Sequence, residues 1–144
     1  MPSAAPVTSE LFRRACGQFA TGIAILTTCD AAGQPHGMTI NSFTSLSLDP
    51  PLVMAAIARS STLLPIFEQA THYAINILAA DQRNLSDRFA RRVESRFEGT
   101  KWTAGHHGSP LFPGALATLE CRVAQVVNAG DHRVFIGVVD SIHI

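Results

Sequence analysis

The order of apolar and polar residues along the chain predicts a protein built mainly from β-strands. Residues 23–29 are rich in β-branched side chains, residues 30–35 contain turn-forming residues, and residues 36–40 resume an extended pattern. This succession is typical of a β-hairpin. Two apolar runs, residues 52–57 and 72–78, predict central strands that are covered on both faces.

The end of the chain predicts a long antiparallel ribbon. Residues 115–127 and 133–144 both have strand character, and residues 128–132 between them contain a Gly-Asp turn. Helices are too few to connect every pair of strands by a crossover, as a parallel sheet would require. The chain is therefore expected to be mainly β, an antiparallel barrel with peripheral helices.

A first helix is predicted near the start of the chain, where Thr8 or Ser9 is suited to cap its N-terminus and Gly22 lies near its end. Apolar residues recur at helical spacing, so we expect them to form a stripe that packs on the core. The residues of this stripe are Leu11, Phe12, Ala15, Cys16, Phe19 and Ala20.

Two further helices are predicted in the middle of the chain. Residues 62–68 suit a short helix with Pro65 in its first turn, where proline is tolerated. Residues 81–92 suit another, with Leu85, Phe89 and Val93 on one face. Its arginines are interpreted as a solvated outer face; these are Arg83, Arg88, Arg91 and Arg92. Residues 98–113, rich in Gly, His and Pro, predict an irregular loop that reaches over a pocket.

Composition indicates one domain, residues 1–144, with much apolar surface to bury. Hydrophobic residues make up 47% of the chain and charged residues only 15%, which favours a homo-oligomer, most simply a homodimer. The chain has eleven basic and eleven acidic residues, so its formal net charge is zero. No net positive charge favours binding to a nucleic acid or an anionic membrane.

The cysteines and the N-terminus bear on location. Cys16, Cys29 and Cys121 are isolated in apolar surroundings, which predicts buried reduced thiols and a cytoplasmic protein. We expect no secretory signal, because the first residues lack a basic region followed by a long apolar run. No segment approaches the ~20 apolar residues that a membrane-spanning helix needs.

Candidate chemistry is concentrated in residues 38–62, a hydroxyl-rich segment that is predicted to be a loop and is followed by an apolar strand. Small polar side chains on a rigid floor suit a flat ligand that carries a phosphate, although Ser and Thr also simply fill turns. Residues 59–62, Arg-Ser-Ser-Thr, offer hydroxyls and a guanidinium at a helix start, as a phosphate site or as a helix cap.

Histidines supply a second set of candidates. His132 follows Gly130 and Asp131 at a hairpin tip, which is either an ordinary turn or a position from which imidazole contacts a ligand. His106 and His107 lack a Cys or carboxylate partner at ligand spacing, so no metal site is predicted. Sequence motifs of serine hydrolases, phosphate-binding loops, dinucleotide folds and zinc proteases are absent.

Five segments, taken together, resemble the small NAD(P)H:flavin oxidoreductases with a split β-barrel, which serve as reductase components of two-component flavin monooxygenases. They are residues 12–28, 37–53, 73–78, 114–121 and 130–137. They include Asn-Ser-Phe-Thr-Ser at residues 41–45 and Gly-Asp-His at residues 130–132. The order and spacing of the segments make the resemblance specific over almost the whole chain.

The resemblance implies that the chain binds FMN or FAD, and NADH or NADPH as hydride donor. The start of the hydroxyl-rich segment would lie along the flavin ring and ribityl chain, residues 59–61 near its phosphate, and the Gly-Asp-His turn near the nicotinamide. The implied cofactor-binding residues are Thr39, Asn41, Ser42, Phe43, Thr44, Ser45, Leu46, Ser47, Ala58, Arg59, Ser60, Ser61, Phe89, Lys101, Gly130, Asp131 and His132.

The resemblance also implies a reaction, hydride transfer from the nicotinamide to the flavin, with reduced flavin passing to a partner oxygenase. The cofactors supply the reactivity, so no catalytic nucleophile, base or metal is expected. The role of His132 would be to orient the cofactors. A non-catalytic flavin carrier or sensor is the alternative, and a pyridoxamine-phosphate-oxidase-like enzyme is disfavoured by the single lysine. Family members usually continue past the position of Ile144, which bears on dimer packing and nicotinamide specificity.

Overall fold

The computed structural model describes residues 3–93 and 95–144 and has most of its regular structure in β-strands. The strands are β1 Ala24–Cys29, β2 Pro35–Ile40, β3 Thr44–Leu48, β4 Pro51–Ala58, β5 His72–Ile77, β6 Thr103–Ala104, β7 Pro110–Leu111, β8 Ala117–Ala129 and β9 His132–His143. The α-helices are α1 Ser9–Cys16, α2 Leu64–Gln69 and α3 Arg83–Ala90, the last preceded by a 3-10 turn at Ala80–Gln82.

Seven of the strands form one antiparallel sheet in the order β2-β1-β5-β8-β9-β4-β3. The sheet does not close, since β2 and β3 stay at its two edges, but it is similar to a split barrel. This confirms the predicted mainly β class with peripheral helices. The predicted hairpin of residues 23–40 is confirmed as β1 and β2, and the predicted ribbon as β8 and β9.

The core lies inside the curved sheet and in a smaller cluster beneath α3. Phe67 of α2 packs edge-on against Phe135 of β9 in the main core. Ile25, Phe89 and Phe112 form the smaller cluster, with Phe97 and Trp102 packed against it. The helices α2 and α3 are therefore held by aromatic side chains, which bury large areas and favour such edge contacts.

Burial along the two predicted central strands differs. In β5 the four middle residues are all buried, as predicted. In β4 buried and half-buried residues alternate, so the prediction that both faces are covered is wrong. The half-buried positions of its second half include Ala56 and Ala58, which face a cavity described below. Ala56 and Ala58 are therefore small apolar residues that border a cavity, and they are not fully buried.

The first helix also departs from prediction. It ends at Cys16, is capped by the Thr8 hydroxyl, and has no buried residue, so its apolar stripe does not pack on the core. Phe12 is 60% exposed and Phe19, beyond the helix, 79% exposed. Cys16 is exposed and Cys29 half-buried, so only Cys121 is a buried thiol. Helical periodicity predicts an apolar face but not what covers it.

Arg88 and Val93 depart from the prediction for the third helix. The Arg88 guanidinium is not free in solvent but donates to the carbonyls of Ser95, Arg96 and Glu98 in the segment after the helix. Val93 lies beyond the end of α3 and is 48% exposed. A guanidinium with several N–H donors can close a loop by capping its carbonyl groups, which the periodic pattern does not show.

The loop at residues 98–113 is more ordered than predicted, because β6 pairs with β7 and buried polar groups anchor it. Asn76 donates to the Pro110 carbonyl and accepts from the Phe112 amide. The Glu120 carboxylate lies 2.9 Å from His106 Nδ1. Burial alone would raise the pKa of Glu120, but its bonds to His106 outweigh burial and lower it. His106 thus has a carboxylate partner that sequence spacing did not reveal.

Residues 44–48, predicted as part of a loop, form the edge strand β3 instead. The turn before β4 contains a cis Asp49–Pro50 bond. Within the described ranges, none of the helices combines the length and apolar character needed to cross a bilayer.

A substitution at Gly137 tests how tightly the strands pack at the centre of the sheet. A Cβ atom at Gly137 would overlap the Tyr73 hydroxyl oxygen and lie 2.9 Å from Cys121 Cβ. We expect Gly137→Ala to lower the free energy of unfolding by about 1–3 kcal/mol, because the buried neighbours must move. Chemical denaturation measures the effect.

Gly22→Ala is the matched control, since its Cβ would have no atom within 4 Å. Equal unfolding midpoints for the two variants would contradict the packing at Gly137.

Candidate functional site

A cavity of about 370 Å³ lies where the ends of β2 and β4 meet α3 and the tip of the β8–β9 hairpin. We call it the central cavity. Its volume falls in the range of small-molecule sites, about 300–1,000 Å³. Its lining residues are Met38, Thr39, Ile40, Asn41, Ser42, Ala56, Ile57, Ala58, Ser60, Ser61, Thr62, Phe89, Ala90, Arg92, Arg96 and His132.

The pairing of β4 with β9 brings the hairpin tip to the cavity. In this register Ala58, the last residue of β4, lies opposite His132, the first residue of β9. The Arg59 amide donates to the Asp131 carbonyl at 2.8 Å. The Arg59 side chain also holds the tip, donating to the Gly130 carbonyl at 3.0 Å and to Asn128 Oδ1 at 2.8 Å. The position of His132 therefore follows from the pairing of β4 with β9 and from the hydrogen bonds that Arg59 makes to the hairpin tip.

The His132 imidazole is oriented by its neighbour. His132 Nδ1 lies 2.8 Å from Asp131 Oδ1, and the imidazole is half-exposed at the cavity. The hydrogen bond to His132 is the main cause that lowers the pKa of Asp131, so the carboxylate stays charged over the neutral pH range. Since Nδ1 is engaged, Nε2 is the ring nitrogen available to a ligand.

Two hydroxyls at the cavity hold its walls together. Ser42 Oγ donates to the Ala56 carbonyl at 2.9 Å and accepts from the Ala56 amide at 3.0 Å. Thr39 Oγ1 donates to the Ser86 carbonyl of α3 at 2.6 Å. A hydroxyl has one donor and two acceptor sites. Towards a ligand these side chains therefore act as acceptors, or by shaping the surface.

Two arginines at the cavity were not predicted as site residues. Arg92 was interpreted as part of a solvated helix face, but α3 ends at Ala90 and Arg92 lines the cavity. Arg96 donates to the Arg91 carbonyl at 2.8 Å and to the Gly37 carbonyl at 2.7 Å, and burial lowers its pKa. The sequence signal was an arginine run continuing past the helix end, where helical periodicity no longer applies.

The structure brings part of the predicted cofactor-binding set to the central cavity. The predicted residues that line it are Thr39, Asn41, Ser42, Ala58, Ser60, Ser61, Phe89 and His132. The predicted residues outside its lining are Phe43, Thr44, Ser45, Leu46, Ser47, Arg59, Lys101, Gly130 and Asp131. Phe43 packs against the main core, and Lys101 is exposed. The assignment of both groups to cofactor binding stays a prediction.

Residues 59–62 were expected at the start of the short helix, but they form a turn before it. The strand ends at Ala58 and α2 begins at Leu64, with Pro65 in its first turn as expected. Ser61 Oγ accepts from the Leu63 amide at 3.3 Å. The hydroxyls of this turn thus reach the cavity from a loop between strand and helix.

The residues at this cavity lie within a recognised family pattern. The family model described as flavin reductase like domain matches residues 16–144. The chain belongs to this flavin reductase family. The match includes β1 to β9, and with them every residue that lines the central cavity.

Individual relatives agree with this assignment. The chain is 47% identical over 129 residues to the FMN reductase (NADH) SmoA of Agrobacterium fabrum, covering 90% of this chain and 73% of that protein. It is 44% identical over 129 residues to the reductase component of a flavin-dependent trigonelline monooxygenase from Acinetobacter baylyi, covering 90% and 42% respectively. This flavin reductase family member spans less than half the length of several relatives.

A solved structure shows the same fold with ligands. It is the NADH:FAD oxidoreductase SgcE6 of Streptomyces globisporus C-1027 in complex with NAD and FAD fragments. Its TM-score to this chain is 0.89 at 33% identity, and the alignment covers 97% of this chain and 86% of that one.

Proposed function

We propose that the protein is a flavin reductase that transfers a hydride from NADH or NADPH to FMN or FAD. One observation carries the proposal: the lining of the central cavity combines small residues of β4, an oriented imidazole, His132, and two guanidinium groups, Arg92 and Arg96. A flavin nucleotide has a flat ring system at one end and phosphate at the other. The lining of the cavity contains groups complementary to both ends.

The donor set fits a flavin in several respects. Ala56 and Ala58 carry only a methyl group, so a flat ring can approach the backbone of β4. Asn41 provides an amide that both donates and accepts. Arginine matches phosphate by paired N–H donors. None of the lining residues in the described part of the chain is a carboxylate that would repel the phosphate.

A bound flavin would supply the hydride-accepting chemistry, so the chain itself needs no nucleophile. The residues of the chain would bind and orient the two cofactors. The small residues of β4 would hold the ring, the arginines would bind the phosphate, and His132 would contact the nicotinamide nucleotide. Correct stacking of two reacting rings accounts for a large part of such a rate increase.

The names of the relatives support the activity and a partner. SmoA is named an NADH-dependent FMN reductase, and the Acinetobacter relative is named the reductase component of a monooxygenase. We therefore propose that reduced flavin from this protein passes to a partner oxygenase in the cytoplasm, in keeping with three unpaired cysteines.

A direct assay tests the activity. Purified protein is mixed with NADH or NADPH, and nicotinamide absorbance is followed with and without added FMN or FAD. We expect oxidation that depends on added flavin. Tight flavin binding without nicotinamide oxidation would instead assign the protein as a flavin carrier or sensor.

The role of His132 can be tested separately from the role of Ala56 and Ala58 in β4. We expect His132→Ala to raise the KM for the nicotinamide nucleotide about tenfold, a loss of about 1.4 kcal/mol. The flavin Kd should be nearly unchanged, because β4 and the arginines remain. Steady-state kinetics and flavin titration measure the two quantities.

His143→Ala, at the other end of β9, is the control variant and should change neither. An equal loss of nicotinamide and flavin affinity in His132→Ala would show that the turn has only a structural role.

We also propose that the protein is a homodimer and that a second copy covers α1. Leu11 and Phe12 of α1 are 39% and 60% exposed, and Leu46 and Leu48 of edge strand β3 are 47% and 91% exposed. Exposed apolar groups of this size on a neutral chain favour self-association, most often as a two-fold dimer.

Sedimentation velocity tests the dimer. We expect a dimer for the unaltered protein and a shift towards monomer for Phe12→Glu, because a charge would be buried in the interface. Ser9→Glu, on the same helix but at its polar start, should remain dimeric. A monomeric unaltered protein at micromolar concentration would contradict the proposal.

A further inference from the structure

The tip of the β8–β9 hairpin, residues 128–131, is bound by the side chain of Arg59. All four residues of the tip are exposed, so burial in the core does not fix their position. The Arg59 guanidinium donates through Nε to the Gly130 carbonyl at 3.0 Å and through Nη2 to Asn128 Oδ1 at 2.8 Å. A planar guanidinium that makes two such bonds restricts the tip relative to the end of β4.

Resting on the proposed function, we propose that Arg59 and Asn128 are positioning residues for the nicotinamide nucleotide and that they act through His132. His132 follows the tip directly and lines the central cavity. Because His132 Nδ1 lies 2.8 Å from Asp131 Oδ1, the orientation of the imidazole follows that of the tip. The bonds from Arg59 therefore set where His132 Nε2 meets a ligand.

The contacts of Arg59 favour this role over the contact with the flavin phosphate that the family resemblance implies. Nε and Nη2 of Arg59 are engaged with the hairpin, and Arg59 lies outside the lining of the central cavity. A phosphate that recruited this guanidinium would have to break both bonds. Arg92 and Arg96, in contrast, line the cavity.

The residues that follow Arg59 are held by bonds of their own. The Ser61 amide donates to the Ala58 carbonyl at 3.0 Å, and the Leu64 amide donates to the Ser61 carbonyl at 3.2 Å. The Arg59 amide bond to the Asp131 carbonyl does not depend on the side chain at position 59. Loss of the Arg59 side chain should therefore loosen the hairpin tip and leave Ser60 and Ser61 in place.

Steady-state kinetics and flavin titration test the two roles of Arg59 against each other. We expect Arg59→Gln to raise the KM for NADH about fivefold and to leave the flavin Kd unchanged. Arg59→Lys keeps the charge but lacks the paired N–H donors, so it should raise the KM to a similar extent. Arg122→Gln is the matched control. Arg122 is an exposed arginine of β8 that lies 3.9 Å from Asp140, and its replacement should change neither quantity.

Double variants show whether the effect passes through His132. Arg59→Gln should change the KM for NADH by less than about twofold when His132 is already replaced by alanine. Asn128→Ala should likewise add less than about twofold to Arg59→Gln, because the bond between the two side chains is already lost. Effects that multiply independently would overturn the inference. A raised flavin Kd in Arg59→Gln that Arg59→Lys restores would also overturn it, in favour of a direct contact with phosphate.

A measurement without nicotinamide separates this inference from the proposed function. The NMR signals of the His132 ring, identified by their loss in His132→Ala, should shift in Arg59→Gln and not in Arg122→Gln. If the unaltered protein does not oxidise NADH in the presence of flavin, the proposed function fails and the role at the nicotinamide site fails with it. If oxidation occurs, an unchanged KM or unchanged His132 signals in Arg59→Gln would overturn only the inference.

Discussion

The register between β4 and β9 is the constraint on which the site depends. It pairs Ala58 with His132, so the floor of the central cavity and the hairpin tip are parts of one hydrogen-bonded ladder. Because side chains alternate along a strand, a slip of one residue would turn His132 away from the cavity, or would bring Ile57 to the position of one of the two alanines. The bond between the Arg59 amide and the Asp131 carbonyl extends the ladder past the end of β4.

A second set of contacts attaches the remaining walls to this ladder. Ser42 bonds both backbone groups of Ala56, and Thr39 bonds the Ser86 carbonyl in the middle of α3, so neither wall depends on loop conformation alone. Arg96 joins the segment after α3 to the Gly37 carbonyl of β2. A site built this way is largely preformed, which lowers the conformational entropy lost on binding.

Local pattern predicted much of the fold but only part of the site. The hairpin and the ribbon are local antiparallel pairs, and turn residues reveal them. The pattern could not show which surface covers an apolar helix face, as with α1. It also could not show which groups a long side chain contacts, as with Arg88. Arg92 and Arg96 were missed for a related reason: the charges of the chain cancel overall, and only folding brings these two to one cavity.

A crystal structure of the protein with FAD bound tests the account most directly. The account predicts the isoalloxazine ring on the surface of Ala56 and Ala58, the phosphates at Arg92 and Arg96, and His132 beside the exposed face of the ring. A flavin bound elsewhere on the protein, or a central cavity filled by the protein's own side chains at saturating FAD, would contradict it.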